Sequence, residues 1–564
     1  MPVIFLMLKI HRLNSHHCFF YALNNNEVVF LNQSIIDKFM FVNKDNDAFK
    51  KVLRSNYVDK TGLISVLNKS INSEYRFICV TRARRFGKSV TAQTINAYYS
   101  KGCDSKDLFS NLEISKAPDF ENFLNKYDVI YLDMQSFEPV PGSNESYIEC
   151  LNRKVTSELI KLYPNELEQL KGNFYLPEAL EILNKKFIFI VDEWDFPLNK
   201  YKDDQTLIES YIDLLRKLFK ETNNSQTVSL VYMTGILPLA RYDTQTALNN
   251  FTEFTMVNPG PFAKYYGFTE EEVAKICEEH HLDPVKTKLW YEGYHFGGYN
   301  IYNPNTIAKL IVCRAFLSYW SQTASYTAVK KAIENDFPNL REDLVKLCSG
   351  DRVSNIDLVS LNNQNVMFSK KDSVLLYLIH LGYLAYDLET GSVYSPNEET
   401  RRELIKSVEE SNWKQYTSVY DESNSLLESV LQKDNKTVAN LISKFHEERV
   451  SVIDYNSESA LKHVILMAFL ATEKYYLKPI QELPSGKGFA DIVYLPNISF
   501  KDRLPALIIE LKYKKRAISA IEQIKERHYA SKINEFADSA LYVGINYDPK
   551  TKEHECIIEE VEFK

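Results

Sequence analysis

Four largely apolar runs, with polar residues only at or near their ends, stand out in the first half of the chain: 76–80, 127–133, 187–192 and 228–234. None alternates apolar with polar residues, so each predicts a strand buried on both faces. Helical spacing follows the first run, from Ser89 to Tyr99, and longer helical stretches separate the others. Such strands alternating with helices predict a parallel sheet covered on both sides, an α/β domain.

Further along, residues 300–423 read as helical and rich in Leu, Lys and Glu, which predicts a lid or connector. A second, smaller α/β unit begins near Asn424, where a helix around Ser457–His463 precedes a hairpin-like pair of runs, 489–494 and 505–512. Residues 1–39 share neither period nor motif with the rest, and read either as an extension or as sequence upstream of a true start at Met40. The expected organisation is an extension (1–39), a first α/β domain (40–299), a helical connector (300–423) and a C-terminal α/β domain (424–564).

With 564 residues, 45% hydrophobic and 25% charged, the chain has material for about three cores. A formal charge of −8 gives no global attraction to nucleic acid, so such a partner has to meet a local basic surface. The 8 cysteines are scattered without CxxC spacing, which disfavours a disulfide framework or zinc ribbon and fits a reducing compartment. No apolar run approaches the roughly 18–20 residues that cross a bilayer, and Val3–Leu8 is too short for a signal sequence. The expected location is cytoplasmic, with no membrane partner.

Between the first run and its helix lies Arg82-Ala83-Arg84-Arg85-Phe86-Gly87-Lys88-Ser89-Val90. A turn between strand and helix aims backbone N–H groups at a phosphate, aided by the positive end of the helix dipole. In that chemistry Gly87 lets the backbone approach, Lys88 places a charge on the β- and γ-phosphates of ATP, and Ser89 offers a hydroxyl to Mg²⁺. The general pattern G-x-x-x-x-G-K-[ST] has glycine where this chain has Arg82. The second half of the site is Asp192-Glu193, closing an apolar run: Asp192 is expected beside Ser89 and its Mg²⁺, and Glu193 is expected to orient or deprotonate the attacking water. Thr234 is a candidate γ-phosphate sensor, and Arg241 a candidate for transition-state charge. The expected nucleotide-binding set is Arg84, Arg85, Phe86, Gly87, Lys88, Ser89, Val90, Asp192 and Thr234.

Together, 56–61 (Asn-Tyr-Val-Asp-Lys-Thr), Arg84–Ser89, Val191–Asp195 and Thr234-Gly235-Ile236 resemble the bacterial AAA-ATPase-like family, as do Tyr291–Gly298 and Tyr302-Asn303-Pro304. The resemblance runs from about Met40 to the C-terminus. It implies a P-loop NTPase sheet and recasts Arg82 as the rule at that position; Ala83 departs from the proline of many relatives. Ring-like homo-oligomers are one arrangement it leaves open.

In the C-terminal unit, Asp491 is followed by Glu510-Leu511-Lys512. Strand alternation points Glu510 and Lys512 to one side, where two carboxylates hold Mg²⁺ and a lysine positions water or meets charge on phosphorus. Glu458 and Glu482 are candidate further ligands, and Lys512, Lys514, Lys515 and Arg516 form a basic run suited to a phosphate backbone. The segment resembles the PD-(D/E)XK, restriction-endonuclease-like domain that follows the ATPase in that family, which implies Asp491, Glu510 and Lys512 as catalytic, with Gln523 and Tyr529 on a supporting helix. The expected function is an ATP-hydrolysing protein coupled to a Mg²⁺-dependent nuclease acting on DNA. The alternative is an ATP-dependent switch or nucleic-acid-binding module with an inactive nuclease fold.

Overall fold

The computed structural model describes residues 21–24, 27–30, 39–170, 172–221, 226–239, 248–320, 330, 332–335, 337–356, 358, 370–411, 413–449, 458–485, 488–527 and 533–563. Before residue 39 these comprise the antiparallel pair β1 (Tyr21–Asn24) and β2 (Glu27–Phe30).

All four apolar runs are strands: β3 (Phe77–Thr81), β4 (Asp128–Asp133), β5 (Phe187–Asp192) and β6 (Val228–Gly235). With β7 (Thr252–Phe254), too short and polar to stand out in the sequence, they form a parallel sheet in the order β4-β5-β6-β3-β7. Phe187, Phe189 and Val191 enter one core with helices Tyr147–Leu162 and Gln205–Phe219, while Ile188 and Ile190 enter the other with helix Lys88–Tyr99. Burial on both faces is why these runs do not alternate. The strand order sets β6 between β3 and β5, so the loop after β3 and the acidic end of β5 flank the carboxyl end of β6. In open α/β sheets ligands bind at such a crevice.

A small antiparallel sheet follows, made of β8 (Phe268–Thr269), β9 (Tyr294–Phe296) and β10 (Tyr299–Tyr302). Gly297 and Gly298 are the two-residue turn between β9 and β10, at φ of 52° and 87°, a turn that glycine makes without steric cost. Residues 300–423, expected to be helical, also carry β11 (Arg352–Val353), β12 (Ala385–Asp387) and β13 (Ser392–Tyr394) in a second antiparallel sheet. Strands of two or three residues leave no alternation to read. Helix Lys414–Leu431 runs unbroken through Asn424, where the sequence places the start of the C-terminal unit.

The C-terminal sheet is mixed, in the order β14 (Ile480–Ser485), β15 (Gly488–Tyr494), β16 (Ala506–Tyr513), β17 (Ser539–Asp548) and β18 (Glu553–Glu562). Only β16 and β17 pair in parallel. Helix Ala517–Glu526 lies in the crossover between them and packs Ala520, Ile521 and Ile524 on one side of the sheet. Leu461, Val464 and Ile465 pack in the core on the other side. That core is continuous from Ala83 and Phe86, through Leu344, Leu375 and Leu404, to Ile492 and Ile509 of the C-terminal sheet. No described helix is long and apolar enough to cross a membrane.

Candidate functional site

Gly87 ends the loop after β3 at φ 91° and caps helix Lys88–Tyr99. A Cβ there would meet nothing within 4 Å, so glycine serves the backbone angle and not a shortage of room. The open space beside it belongs to a cavity of about 840 Å³, within the range of small-ligand sites. Arg84, Arg85, Phe86, Lys88, Ser89 and Val90 line this cavity with Gly87 and Glu193.

Arg82 is fully buried. Its guanidinium donates to the carbonyls of Thr81 (2.8 Å), Phe254 and Thr255 (3.0 Å each), tying the loop to the end of β7, and it lies 5.1 Å from the ring centre of Tyr266. Burial pushes its pKa down to about 10. The Lys88 ammonium donates to the carbonyls of Arg82 and Ala83, both at 3.0 Å. Burial draws the Lys88 pKa down, and the charges of Asp195, Asp192 and Glu193 oppose that fall.

Asp192 is buried at the end of β5, and burial lifts its pKa to about 6 against the pull of the Ser89 hydroxyl and the Lys88 ammonium. Its Oδ1 is buried without a hydrogen bond, and its Oδ2 meets the Tyr131 hydroxyl at 3.5 Å, the outer limit of such a bond. An open, buried carboxylate oxygen next to a serine hydroxyl fits a hard divalent cation. Glu193 adopts φ 56° and is hydrogen-bonded by the Gln135 amide, which projects from the turn after β4 into the same cavity. Sequence reading missed Gln135; its one signal is a polar residue just past the carboxyl end of a buried strand.

The next residues lock the end of β6. Asp195 is buried and accepts from the backbone N–H of Ile236 (3.3 Å) and Leu237 (3.1 Å). Gly235 permits close packing, because a Cβ there would lie 2.5 Å from the Trp194 ring. Thr234 is fully buried, with its hydroxyl donating to the Val80 carbonyl at 2.9 Å within the sheet, and it is not among the residues that line the cavity. The sequence reading of Thr234 as a γ-phosphate sensor thus meets a hydroxyl already bonded to β3. Arg241 lies outside the described residues, as does Tyr529.

In the C-terminal sheet Glu510 is 2% exposed, and burial followed by the Asp491 charge lifts its pKa to about 7. The Lys512 ammonium donates to Glu510 Oε1 (3.0 Å) and to Gln523 Oε1 (2.8 Å), and the Gln523 amide also bonds Glu510. Asp491 Oδ2 accepts from the Leu511 N–H at 2.7 Å, so Asp491, Glu510, Lys512 and Gln523 form one cluster. Glu510 Oε2 is buried without a partner. Two carboxylates with an open oxygen fit Mg²⁺, which retains several waters beside one or two carboxylates. Glu482 stands apart: its side chain is exposed and paired with Lys462 at 3.1 Å. The side chain of Glu458 lies outside the description. Lys514, Lys515 and Arg516 are exposed beyond the cluster.

Residues 46–244 match the model of the predicted AAA-ATPase family, and residues 457–556 match that of the PD-(D/E)XK nuclease superfamily. The chain joins an AAA-ATPase-like domain to a PD-(D/E)XK nuclease-superfamily domain. An uncharacterized protein in the vnfD 5' region of Azotobacter chroococcum mcd 1 is 23% identical over 282 residues, 48% of this chain and 51% of that protein. The match therefore spans about half the length of that relative. A Walker-type ATPase of Pyrococcus abyssi is similar at 12% identity over 61% of this chain and 94% of its own, with a TM-score of 0.30. The ORC2 protein of Aeropyrum pernix is similar at 11% identity over 64% and 97%, with a TM-score of 0.33.

Segments flanking the AAA-ATPase-like sheet act as braces. Asp59 accepts from the Thr61 N–H (2.8 Å) and the Glu113 N–H (2.6 Å), while Lys60 pairs with Glu272 at 2.6 Å. Phe86 packs edge-on to Tyr294, 5.1 Å between ring centres. Asn303 caps helix Pro304–Cys313 through the Asn305 N–H (3.0 Å) and donates to the Arg84 carbonyl at 3.3 Å. Toward the nuclease domain, helix Glu398–Glu409 presents Glu399 to the Thr306 hydroxyl (2.9 Å) and Glu398 to the Lys478 N–H (2.7 Å). The loop after β3 and the C-terminal sheet are thus tied to Asn303 and to helix Glu398–Glu409 respectively.

Proposed function

We propose that the chain hydrolyses ATP at the Arg84–Ser89 loop and couples that turnover to Mg²⁺-dependent cleavage of DNA at Asp491, Glu510 and Lys512. The observation that carries the first half is the open, buried Oδ1 of Asp192, whose neighbours Ser89 and Glu193 line a cavity of about 840 Å³, Asp192 itself not being among the lining residues. In this reading the loop N–H groups and Lys88 hold the β- and γ-phosphates, the ammonium exchanging the Arg82 and Ala83 carbonyls for phosphate oxygens. Glu193, steadied by Gln135, orients the attacking water. Mg²⁺ held by Ser89 and Asp192 would offset charge on the phosphates.

The second half is supported by the cluster around Glu510, whose Oε2 is open in the same way. Asp491 and Glu510 would hold the Mg²⁺ that acidifies a water, while Gln523 steadies Lys512 to position that water or meet charge on phosphorus. The exposed basic residues after Lys512 suit a phosphate backbone. A cytoplasmic location belongs to this reading.

Purified full chain, incubated with ATP, Mg²⁺ and plasmid DNA, tests both halves. Lys88→Ala is expected to abolish phosphate release; Asp491→Ala and Lys512→Ala are expected to abolish cleavage and leave phosphate release intact. Turnover surviving Lys88→Ala overturns the ATPase assignment, and cleavage surviving both C-terminal changes overturns the nuclease assignment.

A further inference from the structure

The cavity beside Gly87 is lined by the cations Lys60, Arg84, Arg85 and Lys88, and Glu193 is the one carboxylate among its described lining residues. Lys60 is paired with Glu272 at 2.6 Å, and the Lys88 ammonium is occupied by the carbonyls of Arg82 and Ala83. Arg84 is exposed, and among the described residues its guanidinium makes no hydrogen bond or ion pair. Arg85 adopts φ 68°, with its Nη1 buried and unpartnered. Both arginines also border a small crevice beside Asn305, Tyr319 and Trp320, which supplies no carboxylate. Burial and, to a lesser degree, the like charge of Arg84 draw the Lys88 pKa down, so the Arg84 guanidinium lies within electrostatic reach of the Lys88 ammonium. The backbone of Arg84 is held at the same time, since its carbonyl accepts from the Asn303 side chain at 3.3 Å. A cation without a partner, on a tethered backbone, thus stands at the cavity with Lys88.

Repulsion between neighbouring cations is relieved when an anion joins them. Hydrolysis of a nucleoside triphosphate demands such charge most while the phosphoryl group is in transit. The water oxygen bonds to the γ-phosphorus, the bond from that phosphorus to the β–γ bridging oxygen breaks with its electron pair left on ADP, and the water proton leaves to Glu193. Negative charge meanwhile spreads over the equatorial and leaving oxygens. A guanidinium is always protonated and presents planar N–H groups that fit two such oxygens at once. Lys88 is assigned above to the β- and γ-phosphates, which sets the neighbouring Arg84 charge at the transferred group. Resting on that ATPase reading, we propose that Arg84 is a catalytic residue of its own chain's site, its guanidinium donating to the γ-phosphoryl oxygens in the transition state. Turnover then needs no arginine from a neighbouring copy.

The test uses the full chain and reads phosphate release, binding of fluorescent ADP, and binding of ADP with Mg²⁺ and aluminium fluoride, which imitates the phosphoryl group in transit. Arg84→Ala is expected to lower kcat at least roughly 100-fold, the low end for losing one donor to developing charge. Binding of the aluminium fluoride complex should fall by a similar factor, while ADP affinity stays at the parent's value. Arg84→Lys should recover part of kcat, since a point charge replaces the planar fork. Thermal unfolding equal to the parent's shows that each variant is folded. A second experiment mixes Arg84→Ala chains with Lys88→Ala chains. Turnover that stays at the level of the unmixed variants supports action within one chain, and recovery overturns it by showing that the guanidinium works across a subunit boundary. An Arg84→Ala chain whose kcat equals the parent's, or whose ADP and aluminium fluoride complexes weaken equally, overturns the catalytic role alone. A parent chain that neither binds ATP nor releases phosphate overturns the ATPase reading and this proposal together.

Discussion

Replacing Arg82 with glycine restores the general phosphate-loop pattern, yet the structure predicts damage. The guanidinium donates at 3.0 Å or less to three carbonyls, those of Thr81, Phe254 and Thr255, and at 3.5 Å to a fourth, that of Pro259, which is left out of the sum. A buried acceptor left without a donor costs about 1–3 kcal/mol, so three together cost about 3–9 kcal/mol, the lower end applying if water enters. Against this, removing the side chain relieves the burial of a charge whose pKa is already pushed down to about 10 from 12.5. At about 1.4 kcal/mol per unit that relief is worth about 3 kcal/mol. Mid-range values leave a net loss of about 3 kcal/mol, or roughly 6–12 °C in the unfolding midpoint of a domain of this size. ATP affinity should fall as well, because the carbonyls of Arg82 and Ala83 that place Lys88 lose their tether to β7. The assay is thermal unfolding by circular dichroism with and without ATP and Mg²⁺, with Arg82→Lys as a control that keeps the charge but not the planar fork. An Arg82→Gly chain as stable as the parent, or binding ATP more tightly, refutes the reasoning.

Three further outcomes follow from packing and burial. Gly293→Ala would set a Cβ 1.9 Å from the Pro396 carbonyl oxygen at φ 142°, and is expected to destabilise the chain by roughly 2–4 kcal/mol, read as a lower urea midpoint. Asn303→Ala removes a helix cap and the bond to the Arg84 carbonyl; a loss of about 1 kcal/mol predicts roughly fivefold weaker ATP binding by calorimetry if the loop is what it steadies. Burial lifts the pKa of Glu399 from 4.5 to about 7 in the folded chain, so the folded state holds this proton more tightly than the unfolded state. Stability therefore falls as pH rises from about 4.5 to about 7 and is level above; Glu399→Gln should flatten that fall and add up to about 3 kcal/mol at pH 8. Identical pH profiles of unfolding for parent and variant would exclude this.

Much of the candidate site's local geometry is legible in the linear chain because its determinants are neighbours. A two-sided buried strand is written as a largely apolar run without alternation, and β3 to β6 lie where those runs lie. The turn at Gly87 needs a residue at ease with positive φ, and Asp192 closes its strand. Glu510 and Lys512 meet through alternation along a single strand.

What only the tertiary structure decided are the meetings set by strand order and by packing between distant segments. Arg82 reads as a gap in a motif until β7 arrives beside β3 and offers it carbonyls some 170 residues away. Gln135 reaches Glu193 because β4 and β5 are neighbours, and the Thr234 hydroxyl turns inward because β3 lies against β6. No local period encodes which strand will be adjacent to which. Hence the sequence names candidate residues, whereas the groups that hold them in place appear only in the fold.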